Sequence, residues 1–351
     1  MAVAGRRCCG CCHRMAGLLL AVSVLLLAGA QLAESSCSGT TTTASLIGDA
    51  ELAVKIGQML PGAHRRISAA DLPAARPPPP AGGWAMCDWD CASSVEVKSS
   101  ERGETRGGAF TVDVTFKPLK GVTADAMVWL LRNLHRDAVS PLDGRSYPMY
   151  LLFHGVDHLH HEATPADDVR VGTVFTWCEM PLTGCTYNRS SAAEPWTCPR
   201  ERGRGFVAGD PASAWANRFH TRVNMTVTRF DRGSIEFVSR ETNPFFGPPG
   251  TDAATRVVAT TRHTWSDSPD GLRLRSQQWV GLMAPGSNTE FDTSPIAPVT
   301  NLIIKNEYLD AAANLPKNIT AAAYGGALHF LQEYGSLSTW LPDLYAGRTQ
   351  G

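Results

Sequence analysis

The 351-residue chain has no excess of either charge: 32 Lys and Arg stand against 33 Asp and Glu. No stretch is basic enough to track a phosphate backbone, so a nucleic-acid partner is not expected. Charged residues are only 19% and hydrophobic ones 43%, which excludes a disordered polyelectrolyte. The glycine-rich loops that cradle phosphates are missing, as is the His-Glu-x-x-His order of the zinc proteases. Strands and helices do not alternate regularly, which argues against a doubly wound sheet. There is no internal repeat. Nor is there an apolar run of the ~20 residues that a spanning helix needs.

What the amino terminus does have is Arg6, Arg7 and Arg14 ahead of an apolar segment covering residues 16–30, closed by Ala28-Gly29-Ala30. This is the pattern of a secretory signal peptide; an uncleaved signal anchor is the alternative, and only that form would give a membrane partner. Cys8, Cys9, Cys11 and Cys12 precede the run and could carry lipid if it stays as an anchor. Six cysteines follow: Cys37, Cys87, Cys91, Cys178, Cys185 and Cys198. An even number in an oxidising compartment suits three disulfides, with a thiolate metal site at Cys87 and Cys91 as the alternative. Sequons at Asn188, Asn224 and Asn318 agree with secretion.

Residues 31–83 read as a flexible Pro-rich region. It holds a short amphipathic helix over 44–60 and an extended linker around Pro77 to Pro80. The folded domain is expected over 84–351. Phe110 to Phe116 alternates as a half-buried strand. Thr123 caps a helix carrying Met127, Leu130, Leu131 and Leu134. Strands are predicted at 150–153 and 171–179, with hairpins over 222–239 and 256–282 and a last helix over 319–334. Many antiparallel strands closed by an apolar helix make an α+β fold.

Three features could carry chemistry. Four of the ten histidines fall within eight positions: His154, His158, His160 and His161. Imidazole is a common metal ligand, although a polar surface loop would read the same way. In the last helix His329 and Glu333 are four apart and share a face. That helix is apolar nearly all round, so its acid calls for a metal or several hydrogen bonds; a partly exposed His–Glu pair is the bland reading. Glu179 ends a strand whose alternation puts Thr173, Phe175, Trp177 and Glu179 together, facing either a cavity or water.

The run from Tyr150 through His154, Asp157 and His158, the strand Arg275-Ser276-Gln277-Gln278-Trp279-Val280-Gly281, and the His329–Glu333 pair resemble the 2,4-diacetylphloroglucinol hydrolases and phloretin hydrolases. The resemblance spans roughly Val122 to Leu337. It implies a helix-grip fold like that of the START and Bet v 1 proteins, a curved antiparallel sheet around a C-terminal helix. It also implies zinc-dependent cleavage of a carbon–carbon bond beside an aryl or polyketide ketone. The implied ligands are His158, Glu179, His329 and Glu333, a mixed set suited to Zn and also to Fe or Mn. Tyr150 and His263 match active-site residues and become catalytic candidates; a core tyrosine and a structural histidine beside Trp265 are the alternatives. Two substrate-contacting positions depart from the family. Gln278 replaces a tyrosine and His161 an asparagine, which points to an altered phenolic or polyketide-like substrate. Gly155 stands where a proline usually follows the first histidine. A small-molecule binding protein that uses the same cavity without turnover is the second functional reading.

Overall fold

The computed structural model describes residues 64–67, 80, 84–99, 108–155, 157–179, 186–187, 196–197, 220–242, 255–294, 297, 301 and 319–348. The apolar segment 16–30, the expected helix over 44–60, and Cys37, Cys185 and Cys198 lie outside them. Among the described residues no helix is long and apolar enough to cross a membrane.

The strands are β1 (His64–Ile67), β2 (Ala92–Ser99), β3 (Phe110–Phe116), β4 (Asp137–Val139), β5 (Ser146–Pro148), β6 (His158–Thr164), β7 (Val174–Glu179), β8 (Thr186–Tyr187), β9 (Trp196–Thr197), β10 (His220–Asp231), β11 (Ser234–Thr242), β12 (Thr255–Ser268) and β13 (Gly271–Val280). The helices are α1 (Ala124–Asn133), α2 (Met149–Phe153), α3 (Ile319–Gly335) and α4 (Leu341–Gly347). The architecture is α+β. Nine strands form one antiparallel sheet in the order β2-β3-β13-β12-β11-β10-β7-β6, with β1 added alongside β10. Sequential hairpins β10–β11 and β12–β13 supply its middle, where the sequence predicts them.

Local chemistry accounts for the elements. On β3, Phe110, Val112, Val114 and Phe116 are buried while the residues between them are only half-buried. Thr123 caps α1 by accepting the Ala126 N–H at 3.2 Å, and the Ala124 N–H goes to Asp267 across the fold. Met127, Leu130, Leu131 and Leu134 turn into the core. Helix α3 is buried nearly all round from Ala323 onward and packs on β2 and β3. Small residues let it approach closely. A Cβ on Gly326 would sit 3.1 Å from Gln278 Oε1, and one on Gly335 would meet the Cβ of Cys87 at 2.5 Å. Cys87 is disulfide-bonded to Cys91, the first of the two readings of this pair.

Three sequence readings are corrected. Residues 150–153 are helical, not a strand: all of Met149–Phe153 is buried, so its apolar run carries no periodicity to tell the two apart. Helix α3 is not the last helix. Pro342 starts α4, whose Tyr345 meets Trp129 of α1 edge-on at 5.7 Å. Residues 64–67, inside the region read as flexible and Pro-rich, pair with β10.

Gly155 also finds its reason here. A Cβ there would lie 1.9 Å from the Trp84 indole, whose ring is buried against Tyr147. Neither alanine nor the family's proline fits under that ring. Gly155→Ala is therefore expected to destabilise the fold by roughly 1–3 kcal/mol. Chemical unfolding of the variant checks this; an unchanged midpoint would show that the indole moves aside freely.

Candidate metal centre

Two turns of sequence logic bring the site together. On α3, helical spacing stacks His329 over Glu333. On β6 the pairing with β7 slips by one residue: His158 opposes Glu179, yet His160 opposes Cys178. Without the slip, His158 and His160 would share a face. With it, His158 and His161 are buried and His160 is left half-exposed beside Glu162 at 2.9 Å. The β6–β7 register then sets His158 and Glu179 side by side.

His158, Glu179, His329 and Glu333 each offer a ligand atom, all within 4.8 Å of one another, and together can hold a metal ion. His158 Nε2 lies 2.9 Å from Glu333 Oε1 and 3.7 Å from Glu179 Oε1. His329 Nε2 lies 3.4 Å from Glu333 Oε1 and 3.9 Å from Glu179 Oε2. A tetrahedron with legs of ~2.0–2.2 Å has edges of about 3.4 Å, within the spread of these separations. His158 Nδ1 faces the Tyr150 carbonyl at 2.8 Å. A carbonyl only accepts, so the ring proton is on Nδ1. Nε2 is fully buried and without a hydrogen bond of acceptable geometry. An orphaned imidazole nitrogen between two carboxylates is the environment a cation satisfies.

The electrostatics agree. Burial alone would lower the pKa of His329. The Glu333 charge, a hydrogen bond to Asp157 and the Glu179 charge overcome it and hold the pKa well above the usual value. Burial opposes ionisation of Glu333, but the His329 charge outweighs it and keeps that carboxyl well below the usual range. A proton thus sits on His329 at neutral pH where an ion would bind.

Around this cluster a cavity of about 80 Å³ is walled by Phe153, Phe175, Trp177, Phe237, Phe330 and Tyr334. The alternation read into β7 does line it, with Phe175, Trp177 and Glu179. Tyr150 stacks on His158 at 3.7 Å and donates its hydroxyl to Glu179. Burial first, then the Glu179 charge, raises the Tyr150 pKa well above the usual value, so it remains a phenol. His263 lines the cavity, lies 2.8 Å from Ser276 Oγ through Nδ1, and is held neutral by burial at a pKa of about 4. Gln278 lines it as well. His161 is not among the lining residues. It sits against Tyr150 and Phe175 at ring distances of 5.0 and 4.8 Å, and burial lowers its pKa well below the usual value.

Sequence reasoning named His154 among the candidate histidines and His154, Asp157 and Ser276 as members of the matching motifs, but gave none of them a partner, and it gave Gln332 no role. His154 Nε2 meets Gln332 Oε1 at 3.2 Å, and burial lowers its pKa to about 3. Asp157 Oδ2 lies 3.2 Å from His329 Nδ1. No spacing rule in the sequence ties these four to the ligands.

Residues 246–346 match the family model described as the DAPG hydrolase PhiG domain. The match supports a DAPG hydrolase-like family assignment. It takes in His263, Gln278, His329 and Glu333; Tyr150, His158, His161 and Glu179 come from outside it. The family match supports a hydrolase acting on a small molecule. No curated protein matches the chain at a significant level.

An ion binding here must displace the His329 proton, so affinity should climb as pH rises toward the raised pKa and fall in acid. Zinc added to the ion-free protein at pH 7 in weak buffer should release about one proton per ion. Proton counting by pH-stat checks it; no release would mean that His329 is not displaced.

Proposed function

We propose that the chain is a zinc-dependent hydrolase of helix-grip fold that cleaves a carbon–carbon bond beside an aryl or polyketide ketone. One observation carries this reading: two imidazoles and two carboxylates converge at one end of an aromatic-walled cavity, on the residues the family resemblance singles out. The proposed ligands are His158, Glu179, His329 and Glu333. Iron or manganese would suit the same set. Zinc bound there would polarise a ketone oxygen or activate a water.

Hydrolysis adds water across the acyl–aryl bond. The acyl carbon leaves as a carboxylic acid, and the ring carbon takes a proton. Tyr150 is the proposed donor, because its hydroxyl is kept protonated by burial and aimed by Glu179 at the cluster. His263 is neutral and anchored to Ser276, so it is suited to hold a phenol hydroxyl. The aromatic walls offer faces for a ring and exclude water. Gln278 presents an amide where the resemblance has a tyrosine, and His161 packs beside Tyr150 in place of an asparagine. An intact ligand set beside altered neighbours favours a changed phenolic or polyketide-like substrate over a lost metal.

The helix-grip reading is supported by α3 lying on the sheet with the cavity between them. Residues 1–30 support entry to the secretory pathway, either as a cleaved signal or as an anchor through 16–30. The Cys87–Cys91 disulfide and the exposed Asn224 sequon agree with that compartment.

Glu333→Gln keeps the shape and removes the charge that offsets the ion. It should cost zinc affinity more than the roughly 10–100-fold that losing an outer partner costs, and ketone hydrolysis should fall with it. Metal analysis and an aryl-ketone assay, run together, check this. Unchanged zinc content and unchanged turnover would contradict the reading. A zinc-loaded wild-type chain that binds aryl ketones without turnover would favour the binding-protein alternative.

A further inference from the structure

We propose that Asp157 is a positioning residue for the bound ion, held in place by a relay through His154 and Gln332; this rests on the four-ligand reading above. His329 has two ring nitrogens and only one can face the ion. Asp157 Oδ2 lies 3.2 Å from Nδ1, and an ionised carboxylate only accepts. The Nδ1 proton is therefore committed to Asp157, and Nε2, the nitrogen an ion would claim by displacing its proton, is turned toward Glu333 and Glu179. Carboxylate–imidazole pairs of this kind fix ring angle and raise ligand basicity in metal sites generally.

Asp157 is held in turn. Its own N–H donates to His154 Nδ1 at 3.1 Å, which assigns the His154 proton to Nε2. That nitrogen donates to Gln332 Oε1 at 3.2 Å. The His154 ring also stacks on the His329 ring at 4.7 Å, tilted by only 19°. His154 and Asp157 are completely buried, and Gln332 and His329 nearly so. The relay thus leaves α3 at Gln332, crosses the turn before β6, and returns to α3 at His329, one helical turn away.

The same turn closes through the His158 N–H donating to the His154 carbonyl at 3.1 Å, and His158 is itself a proposed ligand. A connection between two ligand-bearing elements, made only of buried hydrogen bonds, fixes the separation of the two imidazoles before any ion arrives. A purely structural aspartate would have no reason to meet the ring nitrogen that points away from the cluster.

The test uses the full chain, with zinc as the probe and a chromogenic chelator as competitor. Asp157→Asn should weaken zinc binding roughly 10–100-fold. With cobalt in place of zinc, the variant's visible absorption should shift as the His329 ring reorients. Placed in a His329→Ala background, Asp157→Asn should change zinc affinity little, because Asp157 acts only through that ring. A comparable loss in both backgrounds would overturn the positioning role. So would wild-type affinity and an unshifted cobalt spectrum in the single variant, and those results would leave the four-ligand centre standing. A wild-type chain that binds no zinc would overturn both. Should Asp157→Asn fail to fold, Gln332→Met removes the far end of the relay at similar volume. It should weaken zinc binding in the same direction by a smaller factor, and unchanged affinity would overturn the proposal.

Discussion

Two carboxylates and two imidazoles, packed inside the protein with each imidazole nitrogen 2.9 to 3.9 Å from both carboxylates, set the terms for everything around them. Such a cluster is costly unless charge is balanced at its centre. Without an ion the protein balances it with a proton, which is why the pKa of His329 rises despite burial while that of Glu333 falls. An ion does the same more completely and also satisfies the orphaned His158 nitrogen. The hydrogen bonds behind the cluster follow the same demand. Each imidazole commits one nitrogen outward, His158 to a backbone carbonyl and His329 to Asp157, and leaves the other inward.

The fold meets this demand with elements that cannot slide independently. His329 and Glu333 are locked by helical geometry. His158 and Glu179 are locked by the β6–β7 pairing. Helix α3 is held close by glycines, Gly335 leaving no room for a side chain against Cys87 and Gly326 packing tightly against Gln278. The hydrophobic core fills the space between helix and sheet except where the aromatic-walled cavity opens beside the ligands.

How much of this could be read beforehand depended on period. The helix pair was legible because 3.6-residue spacing leaves His329 and Glu333 little choice, and the Phe110–Phe116 strand because strict alternation did the same. Glu179 was half legible: alternation grouped it with Phe175 and Trp177, but only the fold shows that this face lines a cavity. The inward turn of His158 came from family resemblance alone, since a one-residue slip in pairing leaves no mark on composition or period. The helix Met149–Phe153 was misread because it is buried all round, which erases periodicity. Asp157, His154 and Ser276 act through contacts between distant segments, and no local pattern announces those. Gly155 looked like a departure from a family pattern until Trp84, seventy-one residues earlier, was found against it.

The central claim is that one ion sits between two imidazoles and two carboxylates. X-ray absorption at the zinc edge tests it most directly on the zinc-loaded protein. The account predicts a first shell of nitrogen and oxygen only, near ~2.0–2.2 Å, with outer-shell scattering from two imidazole rings. A sulfur shell near ~2.3 Å, or scattering from fewer than two imidazoles, would contradict it.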